Sequence, residues 1–183
     1  MQILTQDKSY ILRKYITTDA QQIYEAVMES LPQLSPWLTW ACPEYSMAHT
    51  RAFLESRETA WNEDKEYDFA IIDRESGGFV GGIGINMINR FFQMANLGYW
   101  VRTSWTKKGA ASICARQIAE YGIKKLGFQR IEVLVDIENI PSQRVAEKMG
   151  AYREGLMRNR LKPRGVPRDA YMYSIIHQDL HND

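Results

Sequence analysis

Apolar positions change period several times along the chain, and the changes mark its elements. Tyr10 to Arg13 reads as a short strand. Thr18-Asp19-Ala20-Gln21 then forms a capping-box pattern ahead of a helix with Ile23, Ala26, Val27 and Leu31 on one face. The segment LPQLSPWLTW holds two prolines and two tryptophans and reads as a loop, with Trp37 and Trp40 either plugging the core or lining a cleft. A second helix is expected from near Ser46 towards Trp61. Tyr67, Phe69 and Ile71 then alternate with Asp68, Ala70 and Ile72, and Phe79, Ile83, Ile85 and Met87 share one parity. These are two strands about a Glu75-Ser76-Gly77-Gly78 turn. A third, Ala95 to Val101, follows a turn near Asn89-Arg90 and completes an antiparallel meander.

Helical period returns over residues 109 to 126, where Ala111, Cys114, Ala115, Ile118, Ala119, Gly122 and Leu126 recur at spacings of three and four. Gly127 is the expected stop. Ile131 to Val135 is a β-branched strand, and Pro141 to Met149 a short helix closed by Gly150. A final strand, Ala170 to Ile176, lies beyond the Gly/Pro-punctuated KPRGVPR loop. The order βααβββαβαββ predicts an α/β or α+β fold on a mixed sheet. No repeat, linker or low-complexity tract divides it, so residues 1–183 are expected to form a single domain.

Composition narrows the functions open to this fold. A charge of +1, from 23 Lys+Arg against 22 Asp+Glu, supplies no broad field for nucleic acid or anionic lipid. The start MQILTQDKSY has no apolar stretch of the secretory kind, and no run approaches the roughly 20 apolar residues that span a bilayer. Two cysteines, Cys42 and Cys114, make a poor disulfide framework, so reduced thiols in a cytoplasmic protein are expected. Cys114, on the apolar helix face, reads as an inert buried thiol. His177 and His181 stand four apart without a third ligand nearby, so no metal site is expected.

The segment GYWVRTSWTKKGAAS carries the chemistry. It joins a strand to a helix through Lys107-Lys108-Gly109-Ala110-Ala111. A helix start offers unpaired N–H groups and a positive dipole end, and small residues at 109 to 111 let a bulky anion approach the backbone. A pyrophosphate suits such a cradle, with Lys107 and Lys108 adding charge. Read alone, the same residues also describe a plain turn with a solvated lysine pair. Neither a P-loop nor a G-x-G-x-x-G fingerprint is present.

The blocks LGYWV, TKKGAA, EVLVDIENIPSQRVAEKMGA and REG, with the element order, resemble the GNAT acetyltransferases, particularly the RimJ/RimL-type branch. The resemblance spans nearly the whole chain and implies the GNAT-like acyl-CoA N-acyltransferase fold, a mostly antiparallel central sheet flanked by helices. It also implies acetyl-CoA as the acetyl donor. The family's Q/R-x-x-G-x-G/A loop falls on Thr106-Lys107-Lys108-Gly109-Ala110-Ala111; Gly109 and Ala111 match, and Thr106 departs. Ser112 continues that helix start. The N-x-x-S pattern falls on Asn139-Ile140-Pro141-Ser142, where the resemblance gives Asn139 the cofactor arm and Ser142 a place near the thioester sulfur. Asn, Pro and Ser there also describe a capped helix start.

By the same resemblance the acetyl group passes directly to a primary amine. Backbone N–H groups along Leu97 to Val101, including Tyr99, Trp100 and Val101, would support the thioester, and Ser142 would donate to the departing sulfur. Many relatives have a glutamate two residues before the GYW block, and here that place holds Asn96, able to position a water but not to take a proton. A second glutamate of some RimL-like relatives aligns with Leu161. Asp136 and Glu138 are further acidic water-positioners or solvated strand-end residues. A peptide α-amine, with a reference pKa of about 7.7 to 8.0 against about 10.4 for lysine, asks least of a weak base. The expected acceptor is therefore a protein N-terminus, as of a ribosomal protein. A polyamine or aminoglycoside, for which Glu63, Asp64 and Glu66 form one acidic cluster, is the alternative, and a catalytically silent CoA-binding module is the other. Trp37, Trp40 and Tyr99 would border the acceptor cleft. Nothing sets the oligomeric state; a homodimer is one state open to it.

Overall fold

The computed structural model describes residues 1–180. Strands β1 (Gln2–Leu4) and β2 (Tyr10–Lys14) are followed by helices α1 (Ala20–Leu34) and α2 (Met47–Asn62), then by the meander β3 (Tyr67–Asp73), β4 (Phe79–Asn89) and β5 (Met94–Val101). Helix α3 (Ala110–Lys124), β6 (Arg130–Asp136), α4 (Ile140–Lys148), β7 (Tyr152–Leu161) and β8 (Arg168–Ile176) complete the order. All eight strands form one sheet, β1-β2-β3-β4-β5-β6-β8-β7, antiparallel except between β5 and β6. The sheet is mixed and lies between helices, the architecture that the GNAT resemblance implies.

Strand alternation sorts side chains onto two faces. One parity, including Phe69, Ile83, Ile85, Leu97, Ile131 and Val133, packs under α3 in the larger core. Helix α3 lies close to that face because Gly122 has no side chain: a Cβ there would come within 2.9 Å of both Ile85 and Ile131. The thiol of Cys114 is fully buried on α3, and burial pushes its pKa up. The opposite face carries Ala70, Ile72 and Phe79 against Ile23, Ala26 and Val27 of α1 and Leu54 of α2.

Several expectations need correction. The loop predicted from Leu31 begins later, because α1 continues through Pro32 to Leu34. The bond that Pro32 cannot donate would go to the carbonyl of Met28, an exposed residue whose carbonyl water can serve. Thr18 does not open α1 as a cap. A single 3₁₀ turn, Thr17–Asp19, precedes the helix, and Asp19 accepts from the Ile16 N–H at 3.0 Å. Both Asp19 oxygens are also held by Arg13 of β2 at 2.7 Å, a bidentate pair that neutralises a carboxylate only 3% exposed. Strand β1 was not foreseen; three residues are too few for a period. Among the described residues no helix is long and apolar enough to cross a membrane, and no group of three metal-ligating side chains occurs. His181 lies outside the described residues.

Candidate functional site

The parallel pairing of β5 with β6 covers only three positions, Met94, Ala95 and Asn96 against Arg130, Ile131 and Glu132. Beyond them β6 stays paired to β8 along its whole length, and β5 stays paired to β4 through Val101. The strands therefore part in a V whose vertex is at Asn96. Arg102 N donates to Val80 O of β4 at 2.8 Å. Antiparallel alternation then turns the N–H groups of Leu97, Tyr99 and Val101 the other way, where that of Leu97 closes the last rung to β6 and those of Tyr99 and Val101 lie on the open edge. Trp100 has opposite parity: its ring packs on Phe79 and, edge-on at 5.7 Å, on Trp40.

The loop after β5 brings α3 to the mouth of the V. Lys107 and Gly109 both have positive φ, 63° and 85°, and Gly109 is the residue that admits the chain into the helix. The N–H groups of Ala110, Ala111 and Ser112 fall in the first turn, where an α-helix has no acceptors of its own. The Ile113 N–H already reaches Gly109 O at 3.0 Å, and the Ser112 hydroxyl donates to the same carbonyl. Thr106 spends its hydroxyl inside the loop, on Thr103 O at 2.8 Å. The Lys108 ammonium lies 4.2 Å from the centre of the Trp105 ring, while Lys107 is exposed.

On the other arm, Asn139 accepts from the Ser142 N–H at 3.2 Å and so caps α4, with Pro141 in the first turn. The Ser142 hydroxyl lies 3.0 Å from the hydroxyl of Tyr99, which also donates to Ser142 O at 3.2 Å. Tyr99 thus links β5 to α4 across the V. Burial pushes its pKa up to about 12, so at neutral pH it is a proton donor. At the vertex, Asn96 Nδ2 donates to Asn86 Oδ1 at 2.9 Å, and Asn96 Oδ1 is buried without a hydrogen-bond partner.

A cleft of about 250 Å³ opens between the tryptophan loop, the end of β6 and the end of β7, lined among others by Trp37, Trp40, Asp136, Leu161 and Lys162. Asp136 is nearly buried. Its Oδ1 accepts from Glu138 N, and its Oδ2 lies 2.8 Å from Arg168 Nε without the alignment of a hydrogen bond. Arg168 also pairs with Glu138 and lies 5.7 Å from the Trp37 ring. A second depression, of about 370 Å³ near Ser9 and Asp73, sits at the β3–β4 turn, where Ser76 lowers the Asp73 pKa and Lys108 is near enough to help. The acidic cluster of the sequence is not in the cleft. Glu63 pairs with Lys65, Asp64 with Tyr67 and Arg90, and Glu66 with Arg57.

The structure therefore brings the residues expected at the cofactor loop, at Asn139 and Ser142 and at the strand edge around one V, with Trp37 and Trp40 on an adjoining cleft. Sequence reasoning missed the Arg168–Asp136 pair and Asp68 of β3, a charged residue between buried Tyr67 and Phe69. The signal for Asp68 was present: the strand that pairs with it carries glycine at 81, 82 and 84.

The V fits an extended carrier of the acyl-CoA kind: unpaired strand N–H groups along one edge, a helix start at its mouth, and small residues where the backbone must be approached. When bound, acetyl-CoA would supply an activated acetyl thioester, and the groups that would hold it are the strand-edge and helix-start N–H donors, with the hydroxyls of Ser142 and Tyr99 between the two arms.

Comparison with known proteins agrees with this geometry. Residues 10–152 match the family model of the acetyltransferase (GNAT) domain. The N-acetyltransferase p20 of Bacillus licheniformis is 33% identical over 111 residues, 61% of this chain and 62% of that one. A Vibrio cholerae structure assigned to the ribosomal-protein-serine acetyltransferases superposes with a TM-score of 0.83 at 28% identity, covering 96% of this chain and 97% of that one. RimL, the ribosomal L7/L12 alpha-N-protein acetyltransferase, solved with coenzyme A, superposes at 0.85 and 19% identity over 95% and 96% of the two chains, a likeness of fold. With a family model covering most of its length and the splayed sheet to match, the chain belongs to the GNAT family of acetyl-CoA-dependent N-acetyltransferases.

Proposed function

We propose that the protein acetylates the α-amine at a protein or peptide N-terminus. The observation that carries this reading is the charge of the cleft. Asp136 and Glu138 are both engaged by Arg168, and the lining also includes Lys162 and the rings of Trp37 and Trp40. Such a cleft offers no surplus acid to a polycation, and the Glu63, Asp64 and Glu66 carboxylates are tied up elsewhere. A chain end with one ammonium suits it better, and that ammonium ionises within reach of neutral pH. The names of the Vibrio cholerae protein and RimL point the same way.

In this reading the first-turn amides at 110 to 112 and Lys107 hold the diphosphate, and the N–H groups of Tyr99 and Val101 hold the carrier arm and acetyl oxygen. The Ser142 hydroxyl gives its proton to the departing sulfur, and Tyr99 behind it can replace that proton.

The test is a panel followed by release of free thiol from acetyl-CoA: peptides with free N-termini, N-blocked copies bearing one lysine, spermidine, and an aminoglycoside. Turnover confined to free N-termini is expected. Turnover with spermidine or the aminoglycoside alone would replace the reading. Tight acetyl-CoA binding without acceptor-dependent release would favour a silent carrier-binding module, the reading that Asn96 and Leu161, in place of carboxylates, would favour.

A further inference from the structure

Neither Asn96 nor Leu161 can accept the proton that an acceptor ammonium must lose, so neither supplies the reaction with a base. A carboxylate does stand on the acceptor side of the sheet. Asp68 of β3 has the parity of Asn86, Asn96, Gly98 and Trp100, which face α1 and α2. Its register partner is Gly84 of β4, and that of Gly84 is Gly98 of β5, the first residue of the GYW block. A Cβ at Gly84 would run into Asp68 Oδ1. The carboxylate therefore lies directly over β4, in the room that glycine leaves.

Strands are spaced about 4.8 Å apart, which leaves roughly 5 Å between this oxygen and Gly98, the span of one water. Only one heavy atom lies within 4 Å of a Cβ placed at Gly98, Asn86 Nδ2 at 3.5 Å. The floor beside the carboxylate is thus open and carries one N–H donor. Asn96 has a role in this: its Nδ2 holds Asn86 Oδ1 and so turns Asn86 Nδ2 towards Gly98.

We propose that Asp68 is the remote proton acceptor of the reaction, taking the proton of the acceptor ammonium through a water seated over Gly98 and held by Asn86. The ammonium loses one proton by this route. Its nitrogen then bonds to the acetyl carbon as the carbon–sulfur bond breaks, and the sulfur takes the Ser142 proton, which Tyr99 restores from solvent. The nitrogen's second surplus proton leaves to solvent through the water over Gly98, so that each turnover releases one net proton. The proton on Asp68 leaves to solvent after each turnover.

The surroundings suit the role. Arg57 of α2 bonds to both Asp68 and Glu66, and the Tyr15 hydroxyl closes the same face over Gly82, whereas Lys14 of β2 is turned to the Trp61 ring, 4.1 Å away. Burial raises the Asp68 pKa to about 6; Arg57 pulls it down and Glu66 pushes it up. A group so poised is ionised at neutral pH yet basic enough to work there.

The test is the pH profile of kcat for the wild type, Asp68→Asn and Glu66→Gln, read with whichever amine of the panel turns over. The wild type should lose activity below about pH 6. Asp68→Asn should lose about a hundredfold or more at pH 7, with the deficit shrinking as pH approaches the amine's own pKa, and with unchanged acetyl-CoA affinity by calorimetry. Glu66→Gln, a change at a more exposed side chain, should move the acid limb to lower pH, and it decides the matter if Asp68→Asn fails to bind acetyl-CoA. Wild-type turnover in Asp68→Asn, or an unmoved limb in Glu66→Gln, overturns the assignment of Asp68 alone. Absence of thiol release with every amine overturns it together with the acceptor reading.

Discussion

Gly109 separates two contributions that a single variant would confound. Its φ of 85° lies in the left-handed region, and a Cβ there would press on Ile113 Cδ1 at 3.2 Å. Gly109→Ala therefore introduces strain of about 1–2 kcal/mol. The lower entropy of alanine in the unfolded chain returns about 0.4–1 kcal/mol, so the net loss of stability is roughly 1 kcal/mol. For a chain of this size that lowers Tm by about 2–4 °C. Binding receives no such refund. Whatever part of the strain the free loop escapes by relaxing is removed from the stability loss and must be restored to present the amides at 110 to 112, so acetyl-CoA is weakened by up to about 1–2 kcal/mol, at most about 5- to 30-fold. Gly127→Ala is the control, since Gly127 has a φ of 76° beyond the other end of the same helix, with nothing within 4 Å of its Cβ position. Scanning calorimetry should find Gly109→Ala no more destabilised than Gly127→Ala, and titration calorimetry should find only Gly109→Ala weakened in binding. Equal acetyl-CoA affinity in the two would refute the placement of the diphosphate at this helix start.

Three other outcomes are expected. Ser142→Ala should lower kcat more than it raises the KM for acetyl-CoA, and adding Tyr99→Phe should deepen the loss, because the two hydroxyls lie 3.0 Å apart; an unchanged kcat in the double variant would remove both from the proton path. Asp68 is an acid whose folded pKa, about 6, exceeds its ordinary 3.8, so the native protein holds more protons between those values, and the stability this lends is lost as pH rises through 6. Asp68→Asn should then be more stable than the wild type at pH 7.5, by up to about 3 kcal/mol in thermal or urea unfolding, and a clear destabilisation there would contradict the sign. In the native state an aromatic disulfide reagent should titrate Cys42 and spare Cys114, whose thiol is buried under α3, with both reacting after denaturation.

What the sequence revealed follows from the range over which each signal acts. Helix α3 was legible because its apolar residues keep one period over four turns, and β3 to β5 because alternation survives between turn residues. Pro32 misled because its effect depends on which carbonyl it starves, and the exposure of Met28 is a property of the folded surface. Asp19 suggested an ordinary helix cap; its Arg13 partner stands six residues away on β2. At the site, the Gly109 loop and the Asn139–Ser142 segment are each contiguous, so motif spacing located them. Asp68 stands 16 residues from Gly84, and only strand pairing shows that the glycine makes room for the carboxylate. The link between Tyr99 and Ser142 spans 43 residues and depends on the parting of β5 from β6.

Helix α3 is also a mechanical part. It runs about 22 Å, with its start at the mouth of the V and Gly122, near its far end, wedged between Ile85 on one half-sheet and Ile131 on the other. Only three rungs of β-ladder join those halves directly, so this rod is the main strap across the seam. A pull on one end of the strap is felt where the halves meet, and a guest lodged in the gap acts as a rivet as well as a reactant.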